Sequence, residues 1–131
     1  MVQAYMATTK DDKAVLGFYT LGALAVRNDF GPQDWQRAKL PDIPVIYIRA
    51  VAVRKDQQGK GYGTALLIDA MRRCILISGL MGAAAIVLDV LQDENFERRW
   101  KFYETLGFRP LGDPLNTTRV YIAISDAKAS L

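Results

Sequence analysis

The sequence predicts a single α/β domain built on a mixed β-sheet, and three observations support this. An apolar run from Val45 to Val53 leads through a glycine-rich loop into a helical pattern that starts near Thr64. A second apolar run, Ala83 to Val90, follows that helix, and a strand–helix–strand unit implies a right-handed parallel crossover. At the start of the chain, Met1 to Thr8 and Val15 to Val26 have the composition of a β-hairpin.

Composition narrows the class of protein. A chain of 131 residues is enough for one domain, residues 1–131, with one core. The net charge of +3 favours acidic ligands or nucleic acid. No apolar run is long enough for a membrane span and no secretory signal is seen, while the single cysteine fits a reducing cytoplasm. Without histidine, Ser-His and Cys-His catalysis are excluded and no metal site is expected.

The first half of the chain is predicted to form strands that are separated by polar connections. Thr9 to Lys13 predicts the hairpin turn, and Gly17 and Gly22 within the second strand indicate a bulge or a close backbone approach. Asn28 to Pro44 contains three prolines and predicts a loop with one short helical turn around Gln33 to Ala38. The strand that follows is apolar on both faces except at one arginine, as a buried strand would be.

The second half predicts two helices and two strands. The helix from Thr64 ends at Gly79 or Gly82, and its apolar stripe places Cys74 in the core rather than at a reactive site. The second helix runs from Phe96 to Leu106 and is ended by Gly107. Val120 to Ile124 predicts the last strand, and Ser125 to Leu131 is expected to fray.

The glycine loop is the strongest functional signal. Gly59, Gly61 and Gly63 stand at alternate positions before a helix, where unpaired backbone N–H groups and the helix dipole favour a phosphate ester. The spacing fits neither the dinucleotide-binding fingerprint nor the P-loop. A tight strand-to-helix turn without a ligand is the alternative interpretation.

Two motifs resemble one family. Val51-Ala52-Val53 followed by Gln58-Gly59-Lys60-Gly61-Tyr62-Gly63 resembles motif A of the GNAT acetyltransferase superfamily, and Phe102-Tyr103-Glu104-Thr105-Leu106-Gly107-Phe108 resembles its motif B. The resemblance implies an N-terminally shortened GNAT-type acyl-CoA N-acyltransferase fold and acetyl-CoA as co-substrate. It also implies that acetyl-CoA is bound by Val51, Ala52, Val53, Gln58, Gly59, Lys60, Gly61, Tyr62, Gly63 and Thr64.

The same resemblance implies a catalytic role for Tyr103. In that family the matching tyrosine is the general acid that protonates the departing thiolate, and a core aromatic is the alternative interpretation here. The sequence offers no obvious general base, although Asp89, Glu94 and Glu97 are near the motifs. An α-amine would need none, since its pKa near 7.7–8 leaves a usable neutral fraction.

Further stretches resemble the small-toxin branch of the superfamily, namely Gly17 to Leu21, Ile43 to Ile46 and Arg73-Cys74. That branch acetylates aminoacyl-tRNA and is paired with a ribbon-helix-helix antitoxin. Ten basic residues are candidate phosphate contacts for a tRNA partner: Arg27, Arg37, Lys39, Arg54, Lys55, Arg72, Arg73, Arg98, Arg99 and Lys101. The chain departs from the branch at Arg99, where a small residue is usual, and at Ala50, where an arginine is usual.

Two other functions stay open at this point. One is acetylation of a small-molecule or protein amine, with the loop from Asn28 to Pro44 setting the choice. The other is a non-catalytic acyl-CoA-binding domain that completes its pocket with a partner protein or with a second copy of itself as a homodimer.

Overall fold

The computed structural model of the chain describes residues 2–8, 14–27, 35, 42–113 and 115–131. The predicted turn at residues 9–13 therefore lies outside the described residues. The same is true of most of the predicted loop from Asn28 to Pro44. Of its residues the structure describes Trp35, which is helical and buried, and residues 42–44, which belong to a strand, so the prediction of a loop is wrong for these three.

The described residues form six strands and three α-helices, and the first three strands come before the first of these helices. In the first half, β1 (Val2–Thr8), β2 (Val15–Arg27) and β3 (Asp42–Val53) precede a short 3-10 turn and helix α1 (Tyr62–Met81). In the second half the elements are β4 (Ala85–Asp89), α2 (Phe96–Thr105), β5 (Arg109–Pro110), β6 (Arg119–Ala123) and α3 (Ile124–Ser130).

The strands form one six-stranded sheet in the order β1-β2-β3-β4-β6-β5. β3 and β4 are parallel, with Ile48 opposite Leu88 at the last pair, and the other neighbours are antiparallel. A mixed sheet with a parallel pair at its centre confirms the predicted fold class. These two strands can be parallel because α1 connects them by a crossover.

The main core lies on the sheet face that carries α1. Leu67, Ala70, Met71 and Cys74 of α1 are buried against Ile46, Ile48, Ile86 and Ile122 of the sheet. The aromatic residues of α2 also pack on this face. A continuous apolar stripe on α1 thus explains why this helix lies flat on the sheet.

The opposite face has a smaller core. Val26, Ile43, Val45, Val87 and Leu111 are buried there together with Trp35, whose ring centroid lies 5.5 Å from that of Tyr121. The two faces explain why β3 and β4 are apolar at nearly every position, since both strands are covered on both sides.

Most predicted boundaries agree with the structure to within a few residues. The first helix begins at Tyr62 rather than near Thr64, and it ends at Gly82, whose φ of 70° is left-handed, while Gly79 stays inside the helix. The prediction that residues 125–131 fray is wrong. They belong mostly to α3, whose Ala127 is fully buried and packs in the main core.

Among the residues described, none of the helices is both long enough and apolar enough to span a membrane.

Candidate active site

The two central strands separate near their carboxyl ends. Pairing between β3 and β4 ends at Ile48 and Leu88, although β3 continues beside β2 as far as Val53. Beyond β4 the chain follows β6 instead, and the Val90 amide donates to the Thr118 carbonyl at 2.8 Å. Within the described part of the chain, no strand lies opposite the alternate amides of β3 that point toward β4 in this region, so the sheet has a V-shaped gap.

A β-bulge at Arg49 changes which side chains face the main core. Thr20 pairs with Ala50 and Leu21 pairs with Ile48, which leaves Arg49 as the extra residue. Ile48 faces the main core before the bulge, and Val51 faces it after the bulge. Strict alternation along a strand would place Arg49 and Ala50 on opposite faces. Both are exposed at the bulge, because the extra residue interrupts the two-residue repeat.

The gap opens into a cavity of about 590 Å³, here called the splay cavity. Its lining comes from β3, β4, α2 and the segment before β6: Ile48, Arg49, Ala50, Val51, Leu88, Asp89, Val90, Leu91, Gln92, Arg99, Tyr103 and Thr118. It is large enough for an extended chain of several atoms to enter between the strands.

The glycine loop lies at the end of β3. Gly59 and Gly61 have φ angles of 81° and 84°, a left-handed conformation that glycine adopts without strain. The first helical hydrogen bond runs from the Ala65 amide to the Gly61 carbonyl at 3.1 Å. The preceding amides of the first turn of α1 have no partner within the helix, and such groups are suited to bind a phosphate.

Two polar side chains of the loop contact the loop itself. The Gln58 Nε2 donates to the Val53 carbonyl at 3.1 Å, which holds the loop against the end of β3. Lys60 Nζ lies 3.1 Å from Gln57 Oε1 and is exposed. Gln58 therefore shapes the loop, while Lys60 is accessible to an anion at the loop surface.

A second cavity of about 440 Å³, here called the loop cavity, lies between the start of α1 and helix α2. It is lined by Val51, Gly63, Thr64, Leu67, Arg98, Arg99, Phe102 and Tyr103. Val51, Arg99 and Tyr103 line the splay cavity as well, so the two cavities meet at these three residues. A ligand held at the helix start can thus extend into the gap between the strands.

Tyr103 stands at this junction. Its ring is held by Phe102 and Phe108, with both centroid distances 5.7 Å. Burial raises the pKa of Tyr103, and nearby Arg99 opposes the rise. The phenol is therefore protonated at neutral pH and can donate a proton at the point where the cavities join.

The acids near the motifs are poorly placed to act as a base. Asp89 is the one acid among the described residues that line the splay cavity, and it accepts hydrogen bonds from Arg119 and Tyr47. The Arg119 hydrogen bond lowers the pKa of Asp89, although burial opposes this. Glu94 and Glu97 are exposed and line neither the splay cavity nor the loop cavity.

The basic residues that were predicted to contact tRNA phosphates lie in different environments. Arg98 and Arg99 line the loop cavity, and Arg99 forms an ion pair with Asp93. Arg73 instead has an internal role, since its Nε donates to the Tyr19 hydroxyl at 2.8 Å and its guanidinium lies 4.0 Å from the Tyr5 ring centroid. Arg37 and Lys39 lie outside the described residues.

The sequence-predicted site residues fall in one region. Val51, Gly63, Thr64 and Tyr103 line the loop cavity, residues 58–61 form the adjoining loop, and Tyr62 is the first residue of α1. Ala52 and Val53 lie on the same stretch of β3, beside the start of β2. Their roles stay predictions. Tyr47 and Arg119 were not identified from the sequence, because only the strand pairing brings them to Asp89.

The sequence of the chain is similar to those of known acetyltransferases. The family model of the acetyltransferase (GNAT) domain matches residues 4–110. A tRNA-acetylating toxin of Mycobacterium tuberculosis is 31% identical over 90% of this chain and 68% of its own length. A probable toxin TacT of Sinorhizobium fredii is 29% identical over 98% of this chain and 72% of its own length.

Solved structures show the same fold. AtaT complexed with acetyl-methionyl-tRNAfMet superposes with a TM-score of 0.83 at 23% identity, over 98% of this chain and 74% of that one. The match of the family model spans the hairpin, the glycine loop and both motifs. The chain therefore belongs to the GNAT acetyltransferase family and is an N-acetyltransferase.

Proposed function

We propose that the protein transfers the acetyl group of acetyl-CoA to the α-amine of an aminoacyl-tRNA, as a toxin of a toxin–antitoxin pair. The observation that carries this proposal is the position of Tyr103, which lines both the loop cavity and the splay cavity. The two relatives with toxin names, one of them a tRNA-acetylating toxin, support the choice of acceptor. Residues 1–131 act as one domain in this proposal.

The diphosphate of acetyl-CoA is held at the glycine loop. The amides of Tyr62, Gly63 and Thr64 donate to it, and the bare Gly59 and Gly61 allow its oxygens to approach the backbone. Arg98 and Arg99 face the same cavity and add positive charge. The thioester then lies in the gap between β3 and β4.

The chemistry is an acyl transfer. The amine attacks the thioester carbon, the C–S bond breaks, and the thiolate receives a proton from the Tyr103 hydroxyl. The nitrogen releases one proton to solvent, and the tyrosinate regains one from solvent, so the enzyme returns to its starting state. The amides of Val51 to Val53 that point into the gap stabilise the negative charge on the carbonyl oxygen. Proton transfer from a tyrosine to such a thiolate is uphill by roughly 2 kcal/mol in water, and Tyr103 must be well positioned to make it.

The state of Asp89 favours an α-amine as the acceptor. Among the described residues of the splay cavity the only acid is Asp89, and Arg119 and Tyr47 engage it. A lysine-type amine with a pKa near 10.4 would need such a base, but an α-amine with a pKa near 7.7–8 attacks without one. An aminoacyl ester carries such an α-amine.

The test is transfer of radiolabelled acetyl from acetyl-CoA in a mixture of charged tRNA, deacylated tRNA, a polyamine and a lysine-containing peptide. We expect label only in charged tRNA, released as an N-acetyl amino acid when mild alkali cleaves the ester. Label on the polyamine or peptide alone would reject the acceptor, and no label anywhere would favour a non-catalytic domain.

The toxin role includes a cytoplasmic location and a ribbon-helix-helix antitoxin as partner. Induced synthesis of the protein should arrest growth, and co-expression of such an antitoxin should restore it. A Tyr103→Phe variant produced at the same level should not arrest growth. Healthy growth with the active enzyme present at high level would reject the toxin role.

A further inference from the structure

A third cavity, of about 640 Å³, reaches the gap from the other face of the sheet. Val26 and Leu111 in its wall belong to the smaller core, on the face opposite α1, and we call it the second-face cavity. It shares Asp89 and Thr118 with the splay cavity. The gap can therefore be reached from both faces of the sheet. The glycine loop leads into α1, which packs on the face of the main core.

A side-chain cluster stands where the second-face cavity meets the gap. Asp89 and Arg119 are opposite each other in the β4–β6 register. Arg119 Nε lies 2.8 Å from one Asp89 oxygen and Nη2 lies 3.0 Å from the other. The Tyr47 hydroxyl donates to Asp89 at 2.5 Å, and the guanidinium lies 5.5 Å from the Tyr47 ring centroid.

Arg119 is fixed by this cluster and still accessible. Its side chain is 36% exposed and lines the cavity wall. A guanidinium has five N–H donors in a rigid fork, and the bidentate contact with Asp89 uses two of them. Further donors therefore remain for a ligand in the second-face cavity.

We propose that the second-face cavity binds the aminoacyl end of the acceptor and that Arg119 donates a hydrogen bond to its ester carbonyl oxygen. The inference rests on the proposed function, because it names the part of that acceptor which the protein recognises. Asp89 and Tyr47 are positioning residues that act through Arg119. Since the carbonyl is bonded to the carbon that bears the α-amine, this contact directs the amine into the gap.

The charges in the cavity wall favour a neutral carbonyl over a phosphate. Counting only the described lining residues, Arg27 and Arg119 contribute two positive charges, and Asp89 and Asp113 contribute two negative ones. A balanced wall gives little attraction for a phosphodiester, which binds to an excess of positive charge. A dipolar group with an amine beside a carbonyl fits such a wall.

The first test is steady-state kinetics of Arg119→Gln with charged tRNA and acetyl-CoA. We expect KM for the acceptor to rise about tenfold or more, since a hydrogen bond to a charged group is lost. KM for acetyl-CoA should stay unchanged, because the donor binds at the other face. Arg109→Gln, at an exposed arginine of β5, is the matched control and should change neither value. Unchanged KM for the acceptor in Arg119→Gln overturns the inference.

The second test separates this inference from the choice of tRNA as acceptor. Two small acceptors are compared: an amino-acid methyl ester, and an amine of equal size and similar pKa that has no carbonyl. Wild type should prefer the ester and Arg119→Gln should lose that preference, even if charged tRNA proves not to be a substrate. If charged tRNA is acetylated and the ester preference persists in Arg119→Gln, the proposed function stands and the inference falls.

The third test asks whether Asp89 and Tyr47 act through Arg119. Asp89→Asn or Tyr47→Phe should raise KM for the acceptor by itself, and neither should add to the effect of Arg119→Gln in a double variant. Independent, multiplicative losses overturn the positioning role. If Arg119→Gln does not fold, Arg119→Met keeps the aliphatic stem without any donor, and retention of the ester preference in that variant would overturn the inference.

Discussion

Gly17 of β2 lies directly against the backbone of Ala52 on β3. A Cβ atom added at Gly17 would be 2.6 Å from the Ala52 carbonyl oxygen and 2.7 Å from Leu66 Cδ1. Both distances are far below normal van der Waals contact, and one partner is backbone that cannot rotate away. The close approach expected from the sequence at Gly17 is therefore real, and it brings β2, β3 and α1 together beside the glycine loop.

Gly17→Ala should destabilise the protein by about 1–3 kcal/mol through overpacking. Gly79→Ala is the matched control, because a Cβ at this helical position meets nothing within 4 Å and should stabilise α1 by about 0.5–1 kcal/mol. Urea denaturation of both variants measures the difference. Equal stability of Gly17→Ala and wild type would contradict the close approach.

Gly63→Ala should weaken the binding of acetyl-CoA without lowering the stability of the fold. A Cβ at Gly63 would lie 3.7 Å from Val53 Cγ2, an ordinary contact, so stability should hold. The added methyl covers the helix start where we place the diphosphate, and we expect acetyl-CoA affinity to fall about tenfold, or about 1.4 kcal/mol. Calorimetric titration measures this. Unchanged affinity would show that the diphosphate does not bind at the first turn of α1.

Tyr103→Phe should lower kcat by about 10²–10⁴ and leave acetyl-CoA affinity nearly unchanged. Among the described residues the hydroxyl has no hydrogen-bond partner, while Phe102 and Phe108 hold the ring, so the fold should persist. Because burial raises the pKa of Tyr103, the phenol keeps its proton up to higher pH than an ordinary tyrosine. The kcat profile should show no descending limb from this group below about pH 10.

The matched control for this variant is Tyr121→Phe, which removes a hydroxyl on the opposite sheet face and should leave kcat unchanged. An unchanged kcat in Tyr103→Phe would show that the Tyr103 hydroxyl is not the proton donor of the reaction.

Asp89→Asn should alter the dependence of stability on pH. The hydrogen bond from Arg119 is the main cause of the lowered pKa of Asp89 in the folded protein. The folded state therefore binds this proton less readily than the unfolded state. The stabilisation is present above the unfolded pKa of about 3.9 and is lost as the pH falls through the folded value.

Thermal unfolding of wild type and Asp89→Asn between pH 7 and pH 2.5 measures this effect. The advantage of wild type at pH 7 should shrink as the pH falls below about 4. A difference that stays constant over this range would show that the Asp89 charge contributes nothing to stability.

Cys74 should be unreactive in the folded protein. It is fully buried on α1, and burial raises the pKa of its thiol to about 12. Since the thiolate is the reactive form, a thiol reagent at pH 8 should modify the native protein far more slowly than the urea-unfolded protein. Fast stoichiometric labelling of the native protein would show that α1 opens readily.

Local patterns in the sequence predicted most of the fold. The strand of residues 45–53, the glycine loop and the helix after it follow from short-range signals, namely apolar runs, left-handed glycine positions and a 3.6-residue stripe. The helical stripe also predicted the buried position of Cys74. Tyr103 was singled out by the resemblance of its motif to a family, and the family model confirms that family.

Other features depend on contacts between distant segments. Residues 125–131 have too few apolar positions to predict a helix, but α3 forms because Ala127 is buried in the core and the Ile124 amide donates to the Ala84 carbonyl at 3.1 Å. The two-residue strand β5 was missed because it exists only through its pairing with β6.

By itself, the sequence determined the glycine loop, the order of the elements apart from β5 and α3, and the position of Tyr103 within its motif. Each of these depends on residues that are neighbours in the chain. Only the tertiary structure decided that β3 and β4 separate after Ile48, that Arg49 is a bulge, and that Asp89 pairs with Arg119. The reason is physical: strand register and side-chain pairing result from packing whole elements against each other, and no local pattern encodes them.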